Sequence, residues 1–174
     1  PIWPSVVEHC ELFVVFGGLA LKNAQVSSGG AVEHALKPWL QKLAHKGTPV
    51  VNISPMRDDC PGFVNAEWIP IRPNTDVALM LALAYEIQRL GAQDEAFLHS
   101  HCVGYQQLAD YLNGVSDGVA KTPAWASAIT GIPAARIALL ARQLIGVRSF
   151  ITCSYSVQRA HRGEQPYWMM IALS

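Results

Sequence analysis

Residues 11–18 read Glu-Leu-Phe-Val-Val-Phe-Gly-Gly, ELFVVFGG. From Leu12 to Phe16 every side chain is apolar, so a strand here has no polar face. Such a strand belongs inside a parallel sheet covered on both sides by helices. Gly17 and Gly18 then predict a tight turn at its end.

Outward from this strand, helical and extended patterns alternate. Ala31–Gly47 has helical apolar spacing, with Gly47 just past its end and Pro38 marking either a kink or the true start. Thr48–Ser54 (TPVVNIS) reads as a second strand. Ala66–Ile71 (AEWIPI) reads as a third, made short or placed at an edge by Pro70. Asp76–Leu90 predicts a buried helix, apolar almost all round. Helices are expected over 94–100, 104–113, 122–130 and 133–145, with Thr122 capping and Pro123 opening the third of these. Arg148–Ser156 is a further strand, and HRGEQPYWMMIALS, from His161, opens a last helix. This alternation predicts an α/β fold: a three-layer, doubly wound, mainly parallel sheet flanked by helices and joined by right-handed crossovers. There is no internal repeat and no low-complexity tract.

The totals fit one packed domain. Of 174 residues, 51% are hydrophobic and 15% charged, and the formal net charge is +0. That balance, with no basic stripe, gives no electrostatic case for nucleic-acid binding. The richest apolar run, Val77–Ala84, is too short to cross a bilayer. Cys10, Cys60, Cys102 and Cys153 form no CxxC pair, which argues against a zinc site or redox dithiol and for scattered free thiols. Free thiols favour a reducing compartment, cytoplasmic rather than periplasmic. The chain begins at Pro1, and Tyr167–Ser174 (YWMMIALS) is an apolar helical run without a stop signal. We therefore expect residues 1–174 to be one domain excised from a larger multidomain enzyme, with any signal region outside it.

In open parallel sheets, ligands bind beyond the carboxyl ends of the strands. Three polar stretches fall there: Gly17–Asn23, Ser54–Arg57 and Ser154–Gln165. FGGLALKN is neither GxGxxG nor a Walker loop. Its glycines permit close backbone approach to a ligand, and Lys22 offers a point charge; a turn with a solvated lysine explains the same residues. NISPMRDD presents Arg57 either to an anion or to solvent from a Ser-Pro turn. In RPNTD, Asn74 or Thr75 suits a helix N-cap, and Asp76 suits the first turn. A carboxylate at such a corner can also accept both hydrogen bonds from the N1–H and N2–H edge of a guanine. SYSVQRAHRGEQPYW gathers Gln158, Arg159, His161, Arg162, Glu164 and Gln165. His161 and Glu164 share a face if that stretch is helical, but one histidine and one carboxylate define neither a metal site nor a catalytic pair.

Together these segments resemble the molybdenum oxidoreductases of the dimethyl sulfoxide reductase family. SYSVQRAHRGEQPYW is similar to that family's Q-R-x-H-x-G-E-Q segment, ISPMR to I-N-P-x-R, and RPNTDVALMLALA to R-P-x-T-D-x-A-L-x-x-A. FGGLALKN is similar to a strand end where a lysine stands near the pterin. SDGVAKTPAWASAITGIPAARIALLAR also resembles its family counterpart, so the match covers nearly the whole chain in order. Within the family, the chain resembles the biotin sulfoxide and trimethylamine N-oxide reductases most.

The resemblance implies molybdenum held by two molybdopterin guanine dinucleotides, and oxygen-atom transfer from a small S-oxide or N-oxide. It implies that Gly17, Gly18, Lys22 and Asn23 approach the pterin and phosphates of one dinucleotide. Ile53, Ser54, Pro55 and Arg57 would line its ribose and phosphates, and Asn74, Thr75 and Asp76 would read its guanine. Val157, Gln158, Arg159 and His161 would face the second pterin or the substrate funnel, with Arg159 and His161 as funnel candidates. The family's serine ligand to molybdenum has no counterpart in this chain, so neither a metal ligand nor a catalytic residue is expected within it. Ser54 stands where the family often has Asn, and Ala160 and Arg162 stand where Met and a second His are common. The electron donor is not identified. A cofactor-less structural or interaction domain of the same fold is the alternative. A generic nucleotide-dependent enzyme is disfavoured by the missing GxGxxG and Walker loops.

Overall fold

The computed structural model describes residues 3–24 and 34–174. At its centre are four parallel strands, β1 (Leu12–Phe16), β2 (Val50–Ile53), β3 (Glu67–Ile69) and β4 (Ser149–Cys153), in the order β3-β2-β1-β4. β1 pairs with β2 from Phe13↔Val50 to Phe16↔Ile53 and with β4 from Leu12↔Ser149 to Phe16↔Cys153. All five residues of β1 are buried, as its unbroken apolar run requires.

Alternate residues of each strand feed opposite layers. Leu12, Val14, Phe16, Val51 and Ile53 point into one core with α3 (Asp76–Arg89), α7 (Ala134–Leu144) and α9 (Gln165–Leu173). α5 (Tyr105–Leu112) and α6 (Pro123–Thr130) pack outside α3 and add Leu112 and Ala126 to that core. Phe13, Val15 and Val50 point the other way, against α1 (Trp3–His9) and α2 (Leu36–Lys46) through Val6, Leu40 and Leu43. The β1-to-β2 crossover uses the second face and the β3-to-β4 crossover uses the first. Right-handed crossovers running in opposite directions require this arrangement.

The structure meets the sequence expectation at some elements and departs from it at others. α2 starts at Leu36, so Pro38 lies in its first turn, where no intrahelical donor is lost, and there is no kink. Residues 31–33 of the expected helix lie outside the described residues. β3 is only three residues long and sits at the edge, because Pro70 removes the next donor. α4 (Glu95–His101) begins at Asp94, whose side chain accepts from Phe97 N at 2.9 Å, and Thr122 caps α6 through Trp125 N at 3.1 Å. The strand expected over 148–156 ends at Cys153, and a one-turn helix, α8 (Tyr155–Gln158), follows it. The last helix begins only at Gln165.

Candidate functional site

The chain moves from β1 to β2 and β3 on one side, then returns to β4 on the other. This places the reversal of strand order, where open parallel sheets bind ligands in a crevice, at the carboxyl ends of β1 and β4. The floor there is tightly joined. Gly17 N donates to Ile53 O at 2.8 Å, Ser154 N to Phe16 O at 2.8 Å, and Ser154 Oγ to Gly17 O at 2.9 Å.

Gly17 and Gly18 both have positive φ, 81° and 87°. A Cβ on Gly17 would stand 2.5 Å from Ser154 Oγ and from Val157 Cγ2; one on Gly18 would stand 2.5 Å from Asp59 Cβ. The space these glycines free is filled by the protein's own neighbouring loops. They are needed for loop-to-loop packing. Asp59, which sequence reasoning passed over, is the keystone: its carbonyl accepts from Leu19 N at 2.6 Å and its carboxylate from Ser54 Oγ at 2.7 Å.

Ser54 is fully buried, and its hydroxyl also accepts from Met56 N at 3.2 Å. The side chain therefore ties its own loop together. Ser54 O accepts from the Trp68 indole at 2.9 Å. The loop's tip, Pro55 to Asp58, projects outward with Arg57 exposed. Lys22 and Asn23 lie exposed on a 3-10 turn, Leu21–Asn23, leaving β1. Among the described residues, neither Lys22 nor Arg57 is in an ion pair. Two cations on loops beyond the strand ends suit phosphate.

The corner before α3 departs from simple capping. Thr75 occupies the cap position, but its hydroxyl donates to Arg72 O at 2.6 Å and caps no helix amide. Asn74 takes the left-handed conformation, φ 62°, which turns the chain sharply into the helix. Asp76 is then the first helical residue, only 7% exposed, and has no ion-pair partner among the described residues. Burial raises its pKa, and only its own backbone N–H pulls the other way. The Cys153 thiol at the end of β4 is pushed up to about 12, mainly by burial and further by the charge of Asp76. Asp76 is thus in the neighbourhood of Cys153 at the end of β4. Among the described residues its own backbone N–H is the donor that favours the ionised carboxylate.

On the far wall, Val157 packs against Gly17, while Gln158, Arg159, His161 and Arg162 are exposed. Residues 161–164 form a turn, so His161 and Glu164 share no helical face, contrary to the spacing argument. Gly163 explains the turn: a Cβ there would lie 1.8 Å from Gln158 O, so the chain folds back against α8 only at glycine. Tyr167 anchors the following helix by donating to Ser154 O at 2.9 Å. A concave space of about 960 Å³ lies elsewhere, near the amino end of β4, bordered by Leu108, Val147, Trp168 and Ile171. It is away from Asp76 and the strand ends that carry the polar groups.

Comparison with known proteins identifies relatives over nearly the whole chain. The chain is 47% identical over 170 residues to a biotin sulfoxide reductase of Cereibacter sphaeroides, covering 98% of this chain and 23% of that protein. It is 36% identical over 173 residues to a dimethyl sulfoxide/trimethylamine N-oxide reductase of the same organism, covering 99% and 21%. It thus spans between a fifth and a quarter of these relatives' length. The acetylene hydratase of Pelobacter acetylenicus shares the fold, with TM-score 0.74 at 19% identity, covering 96% of this chain and 21% of that one. The family model for molybdopterin oxidoreductases matches residues 3–174, and the chain belongs to that family.

Proposed function

We propose that this chain is a cofactor-holding domain of a longer enzyme that removes oxygen from small S-oxides or N-oxides. Family membership implies a molybdenum–pterin cofactor. We assign it the bis(molybdopterin guanine dinucleotide) form, with one guanine read by Asp76. The substrate class is supported by the S-oxide and N-oxide reductases to which nearly the whole chain is similar.

The observation that carries the guanine reading is the buried Asp76 carboxylate without a cationic partner among the described residues, at the strand-to-helix corner of the crevice. A guanine edge offers the two parallel donors such a group lacks. The same donors would favour the ionised carboxylate and offset its desolvation. Lys22 and Arg57 would hold the phosphates, with Ile53 and Pro55 beside them and Asn74 and Thr75 shaping the guanine pocket. When bound, the cofactor supplies two-electron redox chemistry at molybdenum. This chain's residues bind and orient it: Asp76 accepts, Lys22 and Arg57 neutralise, and Val157 closes the crevice wall. The exposed Gln158, Arg159 and His161 would border the second pterin or the substrate path. A domain that kept the fold without the cofactor has less support, since it would retain a buried unpaired carboxylate at a cost in stability and to no purpose. We place the protein in a reducing compartment, the cytoplasm, on its four free thiols.

The test is cofactor analysis of the full-length protein. It should contain molybdenum and release GMP on acid hydrolysis, and Asp76→Asn should retain less GMP. A full-length protein purified without molybdenum or pterin would sink the proposal.

A further inference from the structure

Arg72 is absent from every candidate site group above, yet it is the most connected residue of the Asp76 corner. Its backbone N donates to Thr130 O at 3.0 Å. Its guanidinium Nη1 donates to Ala128 O at 2.8 Å and Ile129 O at 3.2 Å. Its own carbonyl accepts from Thr75 Oγ1 at 2.6 Å. One residue thus satisfies three carbonyls that α6 leaves open at its carboxyl end, 56 or more positions along the chain. A guanidinium there also meets the negative end of the helix dipole.

α6 is itself held at its start. Thr122 caps it, and the ammonium of Lys121, 1% exposed, is gripped by both carboxylate oxygens of Asp117 at 2.9 and 2.7 Å and by the carbonyl of Val119. The Lys121 ammonium also lies over the Tyr111 ring, 4.1 Å from its centroid. The helix is therefore a fixed post. The short loop 72–76, with Asn74 in a left-handed conformation, hangs from it.

We propose that Arg72 is a positioning residue: by clamping loop 72–76 to the carboxyl end of α6, it sets where the Asp76 carboxylate meets a guanine. This rests on the guanine reading above. It gives the Asp117–Gly131 segment, whose match to the family carried no role, a function in ligand geometry. The clamp is at the surface, so its effect should be moderate.

The test uses the full-length protein freed of cofactor, comparing wild type, Arg72→Met, Arg72→Lys, Asp76→Asn and Arg136→Met. The last breaks the Arg136–Glu67 ion pair on the neighbouring β3–α7 contact and controls for general loss of stability. Amide hydrogen exchange is read over residues 75–79, and GDP affinity is read against ADP. Arg72→Met should exchange about tenfold faster there and bind GDP about threefold to tenfold more weakly. Arg72→Lys should recover part of both, and Arg136→Met should change neither. Unchanged exchange in Arg72→Met, or faster exchange with unchanged GDP affinity, overturns the inference. If Asp76→Asn loses guanine selectivity while Arg72→Met keeps full affinity, the clamp alone fails. If wild type does not distinguish GDP from ADP, the guanine reading fails and takes this inference with it.

Discussion

At the scale of the residue, Asp76 is a burden on the ligand-free fold. Burial raises its pKa, so the folded state resists an ionisation that the unfolded chain undergoes freely. The pH dependence follows. Well below about pH 4 the carboxyl is protonated in both states and nothing is lost. As pH rises, the unfolded chain ionises first, and stability falls until the pH passes the raised folded value. Asp76→Asn should therefore raise the melting temperature of the cofactor-free protein near neutral pH and leave it unchanged at about pH 3. An equal change at both would mean that the carboxylate's charge is not what burdens the fold. Asp76 stands out in the sequence through the resemblance of RPNTD to a family segment, while residue type alone also allows a plain first-turn role. The loop-holding roles of Ser54 and Arg72 are not legible in the sequence. Their contacts run to Asp59 within one loop and to α6 across 56 positions, and residue type alone does not disclose a partner.

At the scale of the element, legibility followed burial on more than one side. β1 and α3 announced themselves because each is apolar on most faces: all of β1 and eight residues of α3 are buried. Leu83, fully buried in α3, packs among the sheet and the outer helices. Leu83→Ala should cost about 2–5 kcal/mol in chemical denaturation. A loss below ~1 kcal/mol would show that the site collapses around the missing atoms. The elements that escaped prediction are short and polar. α8 is a single turn, and residues 161–164 turn back because Gly163 lets them approach Gln158. A spacing of three suggests a helix face only where a helix exists. Gly163 and Glu164 belong to that turn, and the helix starts at Gln165.

At the scale of the whole molecule, the strand order β3-β2-β1-β4 makes the site. It places the ends of β1 and β4 side by side and sends their loops apart, so polar segments far apart in sequence meet around one crevice. Alternating elements made the parallel sheet legible, and with it the end of the sheet that carries the site. Which loops close on one another was not legible, because packing at Gly17, Gly18 and Asp59 decides it. The central claim is that Asp76 reads guanine in this crevice. The most direct measurement is calorimetric titration of the cofactor-free full-length protein with GDP and with ADP, for wild type and Asp76→Asn. The account predicts that wild type prefers GDP and that the variant binds both nucleotides alike. A variant that still prefers GDP as strongly as wild type would contradict it.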